Sequence, residues 1–258
     1  MPAFTAIVPA RMGSTRFPGK ALADIGGRPM VVHCALRALE SGAERVVVAT
    51  DHETIATAAR AAGVEAVLTR DDHETGTDRL AEAVLRLALP DETLIVNVQG
   101  DEPLIAPEAI RAVAAKLADS PECAMATACY PIRDRAHFES PTAVKVVMNR
   151  AGEALYFSRA PIPWPRDAFG GPVRSWPEGL HAWHHVGLYA YRASFLRAFA
   201  ALERSPLETV EALEQLRALW HGYRIAVVTT ERAPAPGVDT PEDLERVRAL
   251  FDHRAVSR

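Results

Sequence analysis

Three cations lie on one short loop near the start of the chain. An apolar run at 4–8 leads into R-M-G-S-T-R-F-P-G-K, which carries Arg11, Arg16 and Lys20 together with Ser14. Glycines in such a loop free backbone N–H groups, and guanidinium and ammonium groups pair with phosphate oxygens. The loop therefore suits a phosphate-rich ligand, although a basic surface loop without a ligand is the plain alternative.

This loop matches neither of two common phosphate-binding motifs. The spacing from Gly13 to Gly19 and Lys20 is one residue too long for a Walker loop, and Ala21 stands where serine or threonine would ligate Mg²⁺. The pattern G-x-G-x-x-G is also absent from the loop, so the usual dinucleotide fingerprint is excluded.

Two aspartates are candidate magnesium ligands. Asp101 follows a buried apolar run in V-N-V-Q-G-D-E-P, and Asp239 precedes a helix whose capping box is supplied by Thr240 and Asp243. Magnesium prefers one or two carboxylates together with substrate phosphates. At the first position, Glu102 could be the ligand instead, or the aspartate could serve only a turn.

Other polar residues could contact an organic substrate. Thr75 and Thr77, in D-H-E-T-G-T-D-R, could meet the edge of a base, but Thr77 could instead be only the N-cap of the helix that carries Arg79. Arg159 and His185 could hold a substrate carboxylate, the arginine through its bidentate fork.

Zinc chemistry and covalent catalysis are not expected. His181, His184 and His185 cluster in the sequence, but no cysteine accompanies them and nothing fixes a ligand geometry. Neither Ser14 nor Ser158 lies in a nucleophile elbow.

Alternating strands and helices must position these groups. Predicted strands are at 4–8, 45–49, 65–68 and 94–98, and predicted helices at 30–40, 53–62, 78–89 and 108–117. This order is typical of βαβ units, so we expect an α/β fold with a mostly parallel, twisted sheet and helices on both faces. Ligands bind beyond the carboxyl ends of such strands. The basic loop, Thr50-Asp51 and Q-G-D-E-P should therefore lie along one edge.

The stretch from about 123 to 191 lacks the regular alternation of strands and helices that precedes it. Predicted strands at 142–148 and 186–191 flank a segment rich in proline, glycine and tryptophan, which is too irregular for a core element. It is typical of a lid, although its aromatic side chains could equally pack internally. A helix at 208–219, a strand at 223–228 and a helix at 241–251 follow. We predict one domain, 1–258, with 123–191 as a β-rich insertion that provides dimer and sugar contacts.

Composition limits the class of protein. The chain has 258 residues, with 29 basic and 33 acidic side chains and a formal net charge of −4. A net-acidic chain with local basic clusters argues against nucleic-acid binding and favours a small anionic ligand. Three cysteines without C-x-x-C spacing, no signal-peptide pattern and no long apolar stretch favour a cytoplasmic protein without membrane insertion.

Several motifs resemble one known family. The first loop, I-V-P-A-R-M-G-S-T-R-F-P-G-K-A-L, resembles the signature loop of bacterial CMP-sugar-acid synthetases. Further segments resemble the branch of that family that activates 3-deoxy-manno-octulosonate (KDO), and they follow the family's order along nearly the whole chain. They are E-S-G-A-E-R-V-V-V-A-T-D-H, N-V-Q-G-D-E-P, A-V-K-V-V, A-L-Y-F-S-R-A-P-I-P-W, S-P-L-E, L-E-Q-L-R-A-L and G-V-D-T-P-E-D-L-E-R-V-R.

The resemblance implies an activity and a set of site residues. It implies a nucleotide-diphospho-sugar-transferase-like fold, a homodimer, and Mg²⁺-dependent transfer of CMP from CTP to KDO for lipopolysaccharide biosynthesis. The implied catalytic residues are Arg11, Lys20 and Asp101. The implied nucleotide-binding residues are Pro9, Ala10, Arg11, Ser14, Arg16, Lys20, Thr75, Thr77 and Asp101. The implied sugar-binding residues are Arg79, Gln99, Arg159, His185, Tyr189, Glu214 and Gln215, and the implied metal ligands are Asp101 and Asp239.

Two alternatives remain open at the level of sequence. One is a CMP-sialate synthetase that acts on another keto-sugar acid. The other is a non-catalytic nucleotide-binding protein on the same scaffold, although such a protein would be expected to lose a phosphate-binding cation or a metal carboxylate.

Overall fold

The computed structural model describes residues 2–13, 17–169 and 176–256. The chain forms two compact units. The first comprises Met1–Ala115, Leu188–Ala200 and Pro234–Arg258, and the second comprises Lys116–Gly187 and Ala201–Ala233. The expectation of one domain with an insertion at 123–191 stays a prediction.

Strands and helices alternate along the chain. The strands are β1 Thr5–Ala10, β2 Asp24–Ile25, β3 Arg28–Pro29, β4 Arg45–Thr50, β5 Glu65–Leu68, β6 Leu94–Asn97, β7 Met125–Pro131, β8 Lys145–Met148, β9 Ala154–Ser158, β10 Trp183–Arg192 and β11 Ile225–Thr229. The helices are α1 Met30–Glu40, α2 Glu53–Ala61, α3 Gly76–Arg86, α4 Pro107–Ala118, α5 Arg135–Glu139, α6 Arg166–Phe169, α7 Ala193–Phe199, α8 Pro206–Glu211, α9 Gln215–Trp220 and α10 Pro241–Val256.

The first unit is built on a mostly parallel sheet, as predicted. Its strand order is β10-β6-β1-β4-β5, in which β1, β4, β5 and β6 are parallel and the end of β10 runs antiparallel to β6. The chain steps from β1 outward to β5 and then returns to the other side of β1 as β6. Because parallel crossovers are right-handed, this reversal places helices on both faces and opens a crevice between the ends of β1 and β6.

Burial explains why these segments are strands and helices. Ile7, Val47 and Val96 are fully buried, as expected for parallel strands covered on both faces. In α1, five of the six buried positions, 30, 31, 34, 35 and 38, fall on one face of the helix, and the sixth is Val32. The helix is followed by Gly42 with φ of +81°, a conformation that glycine adopts without strain.

The second unit contains the less regular part of the chain. Within it, β7 runs parallel to β11, β8 runs antiparallel to β9, and the first residues of β10 pair with β8. Part of the segment predicted as a lid packs internally instead. Phe169 belongs to a buried cluster with Ile132, Phe138 and Ala182, and Trp176 packs against that cluster. The alternative that these aromatic side chains serve packing is therefore confirmed.

The predicted helix at 208–219 is wrong, because two short helices occupy that stretch. Ala212 lies between α8 and α9 with φ of 51° and ψ of 50°, in the left-handed region. The break lets Glu208 receive Nε and Nη2 of Arg217 at 2.8 and 2.6 Å, with both side chains buried. In a continuous helix, residues nine apart would lie about 13.5 Å apart along the axis. The buried ion pair is thus incompatible with one helix.

Within the described ranges, no helix combines the length and the apolar composition that a bilayer crossing requires.

Candidate functional site

An open cavity of about 280 Å³ lies in the first unit at the carboxyl edge of its sheet. The loops after β1 and β6, the start of α3 and the segment before α10 surround it. Its lining residues are Pro9, Ala10, Arg11, Lys20, Ala21, His73, Glu74, Thr75, Gly76, Arg79, Gln99, Gly100, Asp101 and Asp239. The prediction that the polar segments after the parallel strands share one edge is therefore confirmed.

The loop after β1 is held by bonds to its own backbone and to the next strand. Met12 donates its N–H to Oδ1 of Asp51 at 3.0 Å, and its carbonyl accepts the N–H of Gly19 at 3.1 Å. Gly19 has φ of +70°, which favours glycine because it lacks a Cβ. These bonds fix the residues next to Arg11 and Lys20. Ser14 and Arg16 lie outside the described residues.

The loops after β1 and β6 approach each other closely at Gly100. A Cβ added at Gly100 would lie 2.6 Å from the carbonyl oxygen of Pro9. Such a contact cannot be accommodated without moving backbone, so only glycine fits between Gln99 and Asp101. This close approach explains the glycine of Q-G-D-E-P.

Lys20 joins the two predicted metal ligands. Its Nζ donates to Oδ2 of Asp101 at 2.6 Å, to Oδ1 of Asp239 at 3.2 Å and to the carbonyl of Val238 at 3.2 Å. The N–H of Val238 in turn bonds the carbonyl of Asp101 at 2.8 Å, which links the two segments through their backbones. Two carboxylates thus converge on one cation.

Asp239 is not needed as a helix cap. The N–H of Asp243 bonds Oγ1 of Thr240 at 3.2 Å, and the N–H of Thr240 bonds Oδ2 of Asp243 at 2.9 Å. This reciprocal pair is the predicted capping box. The carboxylate of Asp239 is therefore available to Lys20 on the cavity side.

The acidic residues of this cavity suit a metal that is shared with a substrate. Asp101 and Asp239 both reach the same ammonium group, so their oxygens converge where a cation can be held. Among the described residues, no group of three His, Cys, Asp or Glu side chains could hold a metal alone. That arrangement fits Mg²⁺, which takes one or two carboxylates and completes its shell with water and phosphate.

Arg79 lines the cavity, and its guanidinium group is fixed there by hydrogen bonds to the protein. Its guanidinium bonds Oδ2 of Asp51 at 3.2 Å, the carbonyl of Arg70 at 3.1 Å and Oγ1 of Thr69. Burial lowers the pKa of Arg79, the carboxylate of Asp51 opposes that shift, and the nearby Arg11 guanidinium adds to it. Arg79 therefore contributes a fixed positive charge beside Arg11.

His73 lines the cavity and is held by Glu82 of α3. Nε2 of His73 bonds Oε2 of Glu82, and the N–H of Arg70 bonds the same oxygen at 2.9 Å. Burial alone would raise the pKa of Glu82, but the bonds from Arg70, His73 and Arg86 outweigh it and lower that pKa to about 2. Glu82 is thus the ionised anchor of this side of the cavity.

The helix that carries Arg79 is α3, which begins at Gly76, directly after Thr75. Thr75 is the N-cap of α3, and Asp78 completes a capping box with it, so the alternative that Thr77 is the N-cap is wrong. Thr77 is 3% exposed in the first turn of the helix. Thr75 lines the cavity, whereas Thr77 is not among the lining residues.

Arg159 lies in the second unit, where its guanidinium bonds backbone carbonyls. Nε donates to the carbonyl of Glu211 at 2.8 Å, and Nη1 donates to the carbonyl of Pro141 at 3.1 Å. Its N–H bonds a carboxylate oxygen of Glu211 at 2.9 Å. These bonds hold the α8–α9 corner against the end of β9, and a role for Arg159 in substrate binding stays a prediction.

His185 is also in the second unit and is buried. Its Nε2 lies 2.9 Å from Oγ1 of Thr127, whose hydroxyl donates to the carbonyl of Val186 at 3.0 Å. Because that hydroxyl proton is used, the Thr127 oxygen accepts from Nε2 of His185. Burial, with a contribution from His184, lowers the pKa of His185 to about 3, so the imidazole is neutral.

The other sugar-side candidates are divided between the units. Tyr189 is on the part of β10 that belongs to the first unit, in register with Asn97 of β6. Glu214 and Gln215 lie at the start of α9 in the second unit. Gln215 is 6% exposed, and its Nε2 has no hydrogen-bond partner within the part of the chain that the structure describes.

The cavity therefore gathers most of the nucleotide-side and metal-side predictions. The predicted residues that line it are Pro9, Ala10, Arg11, Lys20, Thr75, Arg79, Gln99, Asp101 and Asp239. Gly76, which lies beside Thr75 in the segment predicted to meet a base, also lines it, and sequence reasoning missed four lining residues, which are Ala21, His73, Glu74 and Gly100. His73 carries no local signal, because its partner Glu82 lies in the second turn of α3 and the two meet only once the preceding loop packs against that helix.

Comparison with known proteins agrees with this geometry. The cytidylyltransferase family matches residues 5–225. A solved structure of CMP:2-keto-3-deoxy-manno-octonic acid synthetase complexed with CTP is 42% identical, with a TM-score of 0.89 and coverage of 98% of this chain and 100% of that chain.

Two more distant structures share the fold. A cytidylyltransferase from Leptospira borgpetersenii serovar Hardjo-bovis (strain JB197) is 19% identical, with a TM-score of 0.61 and coverage of 98% of this chain and 87% of that chain. A 4-diphosphocytidyl-2C-methyl-D-erythritol synthase is 15% identical, with a TM-score of 0.60 and coverage of 96% and 98% respectively. With the family matched over most of its length and a close structural relative over nearly all of it, the chain belongs to the cytidylyltransferase family.

Proposed function

We propose that this protein transfers CMP from CTP to KDO and releases pyrophosphate. The observation that carries the proposal is the cavity in which Arg11 and Lys20 meet Asp101 and Asp239 at the carboxyl edge of a parallel sheet. Cations for a triphosphate and carboxylates for a divalent metal are the two requirements of nucleotidyl transfer. The synthetase that is 42% identical to this chain supports the choice of CTP and of the sugar acid.

The reaction needs positioning and charge neutralisation more than covalent help. The anomeric hydroxyl oxygen of KDO forms a bond to the α-phosphorus, the bond from that phosphorus to the bridging oxygen breaks, and pyrophosphate leaves. Arg11 and Lys20 bind the phosphate oxygens and offset the negative charge that develops on them. Pro9, Ala10 and Thr75 surround the nucleoside side of the same cavity.

A divalent metal completes the proposed site. Asp101 and Asp239 would hold Mg²⁺, which when bound supplies charge neutralisation at the phosphates. Lys20 then has phosphate oxygens as alternative partners to the two carboxylates that it bonds in this structure.

Sugar recognition is the least direct part of the proposal. Gln99 and Arg79 line the cavity, while the proposed sugar contacts of Tyr189, Arg159, His185, Glu214 and Gln215 rest on the resemblance of the chain as a whole to the KDO branch. We also propose a cytoplasmic homodimer that acts in lipopolysaccharide biosynthesis. Cys34, Cys123 and Cys129 all lie among the described residues and none of them is joined in a disulfide, which supports a reducing compartment.

The direct test is pyrophosphate release from CTP and Mg²⁺ with KDO, with N-acetylneuraminate as the second sugar and UTP as the nucleotide control. We expect release with CTP and KDO only. Release with N-acetylneuraminate alone would replace the sugar assignment while leaving the nucleotide assignment intact. Binding of CTP without release by any sugar acid would contradict the proposed reaction.

A further inference from the structure

Asp51 stands directly after β4, where an aspartate usually caps the following helix. In this protein the N-cap of α2 is His52, whose Nδ1 accepts the N–H of Thr54 at 3.2 Å. The carboxylate of Asp51 is therefore not used for capping. It turns instead to the loop after β1 and to α3.

Both oxygens of this carboxylate are used. Oδ1 accepts the N–H of Met12 at 3.0 Å, and Oδ2 accepts Nη2 of Arg79 at 3.2 Å. The side chains of Asp51 and Arg79 are 9% and 3% exposed, so solvent screens this pair little. One buried carboxylate thus joins three segments at the edge of the sheet.

The bond from Met12 to Asp51 fixes the backbone next to both phosphate-binding residues, Arg11 and Lys20. Met12 follows Arg11 directly, and its carbonyl accepts the N–H of Gly19, the residue before Lys20. The peptide groups on either side of Met12 are therefore fixed by Asp51 on one side and by Gly19 on the other. A shift of Met12 would move Arg11 and Lys20 together.

The same carboxylate compensates the positive charge of Arg79 in the cavity wall. Arg79 lies close enough to Arg11 for the two guanidinium groups to repel each other, and Asp51 is the acidic partner that Arg79 bonds. Arg79 also bonds the carbonyl of Arg70, so the loop after β5 is tied to the same pair. Without the carboxylate, a buried positive charge would remain beside Arg11.

We propose that Asp51 is a positioning residue that holds Met12 in place and so, through the bond between Met12 and Gly19, presents Arg11 and Lys20 to the nucleotide phosphates. The inference rests on the proposed function in taking CTP as the ligand. Asp51 does not itself contact the substrate in this proposal. Its loss should weaken CTP binding, which the loss of a residue that only stabilises the fold would not do.

The test compares Asp51→Ala, which removes both bonds, with Asp51→Asn, which keeps an acceptor for Met12 but removes the charge. Equilibrium binding of CTP with Mg²⁺ is measured by calorimetry without sugar, well below the unfolding midpoint of each variant. We expect Kd to rise about tenfold or more in Asp51→Ala, the loss of a bond to a charged group, and several-fold in Asp51→Asn. The fraction of folded protein in both variants, measured by circular dichroism under the binding conditions, should equal that of the wild type, since a general loss of folding would lower it together with CTP binding.

The matched control is Glu65→Gln. Glu65 of β5 pairs with Arg45 of β4 at 2.7 Å, so this variant also removes a carboxylate from an ion pair with arginine, but the pair is exposed and does not line the cavity. This variant should bind CTP like the wild type. An unchanged Kd for CTP in both Asp51 variants would overturn the inference, as would a rise in Kd that is accounted for by an equal loss of folded protein.

Two outcomes keep this inference distinct from the proposed reaction. If Asp51→Ala does not fold, the Kd of Asp51→Asn decides. If the wild type binds CTP but transfers nothing to KDO, the reaction proposal fails while the binding comparison still tests the role of Asp51.

Discussion

At the scale of single residues, the three N–H donors of Lys20 are matched by three protein acceptors in this structure. An ammonium group has three N–H donors, and in this structure they face Asp101, Asp239 and the carbonyl of Val238. A phosphate oxygen of CTP can be bound only if one of these partners is released. Release of a carboxylate would also free it for a metal, so nucleotide and metal binding should favour each other.

Lys20→Met should separate catalysis from folding. We expect kcat to fall about 100-fold or more, because a charged donor to the developing phosphate charge is lost. The free energy of unfolding should change by less than about 1 kcal/mol, because the ion pairs are partly exposed. Steady-state kinetics and urea denaturation measure the two quantities.

Arg60→Met is the control for this variant. It removes one cation and one ion pair, with Glu53, at an exposed position away from the cavity. Its kcat should equal that of the wild type. Parallel losses of activity and stability in Lys20→Met would show that the lysine is only structural.

Asp239→Asn should change the metal requirement without changing the helix that follows. Thr240 and Asp243 cap α10, so removal of the Asp239 charge leaves the cap intact. We expect the Mg²⁺ concentration for half-maximal rate to rise about tenfold, from the loss of one carboxylate ligand. Titration of the initial rate with MgCl₂ measures it, and Glu242→Gln, on the exposed start of the same helix, is the control. An unchanged Mg²⁺ requirement would count against Asp239 as a ligand.

At the scale of secondary-structure elements, local pattern predicted some segments and failed at others. The helix Met30–Glu40 and the strand Glu65–Leu68 have the predicted bounds, because apolar periodicity and turn residues are local properties. The break at Ala212 depends on a buried ion pair between residues nine apart in the sequence. Helix periodicity carries no information about such a pair, so the sequence pattern of 208–219 predicts one continuous helix.

The candidate site shows the same division. Lys20 and Asp101 could be predicted because they follow strands whose carboxyl ends share one edge of the sheet, and Asp239 because the helix cap next to it is supplied by other residues. Arg79 could be placed there only by the resemblance of the chain to the family, and its bonds to Asp51 and Arg70 connect loops far apart in the chain. Long-range pairing of this kind appears only in the folded chain.

The corner between α8 and α9 should depend on the Glu208–Arg217 pair. Glu208→Gln leaves the buried Arg217 charge without its carboxylate, so we expect a loss of about 3 kcal/mol in the free energy of unfolding. Urea denaturation measures it. Glu139→Gln, which breaks the exposed pair with Arg135, should cost less than about 1 kcal/mol. Equal losses in the two variants would show that burial of the first pair has no energetic consequence.

The strand β10 should make stability depend on pH. Burial lowers the pKa of His184 to about 4, with smaller effects of His137 and Lys145, and burial lowers that of His185 to about 3. Both pKa values are depressed below about 6.5, so below that pH the unfolded chain binds more protons than the folded one. Stability should therefore be full above about pH 6.5 and decline as the pH falls toward about 4.

Denaturation midpoints measured from about pH 7.5 to about pH 4.5 test this expectation. His185→Gln should give a flatter dependence, because one of the two depressed pKa values is removed. His181→Gln, at an exposed position before the same strand, is the control. A wild-type midpoint that rises as the pH falls would have the wrong sign for buried neutral histidines.

At the scale of the whole molecule, the second unit carries exposed apolar side chains that the proposed homodimer would cover. Leu155 of β9 is 61% exposed, Val210 of α8 is 85% exposed and Trp220 of α9 is 56% exposed. Large apolar groups that stay in water are typical of protein–protein contacts. The proposed homodimer would cover such a surface with the same surface of a second copy, as two-fold symmetry requires.

Light scattering should therefore give a mass about twice the 28.0 kDa of one chain. Leu155→Glu should weaken the dimer, because a charge buried against an apolar partner surface loses its hydration. Leu85→Glu is a matched control, since Leu85 is also 61% exposed but lies on α3 in the first unit. A wild-type mass of one chain would contradict the dimer. Dissociation by Leu85→Glu but not by Leu155→Glu would place the interface on the first unit, and the exposed apolar residues of the second unit would then need another partner.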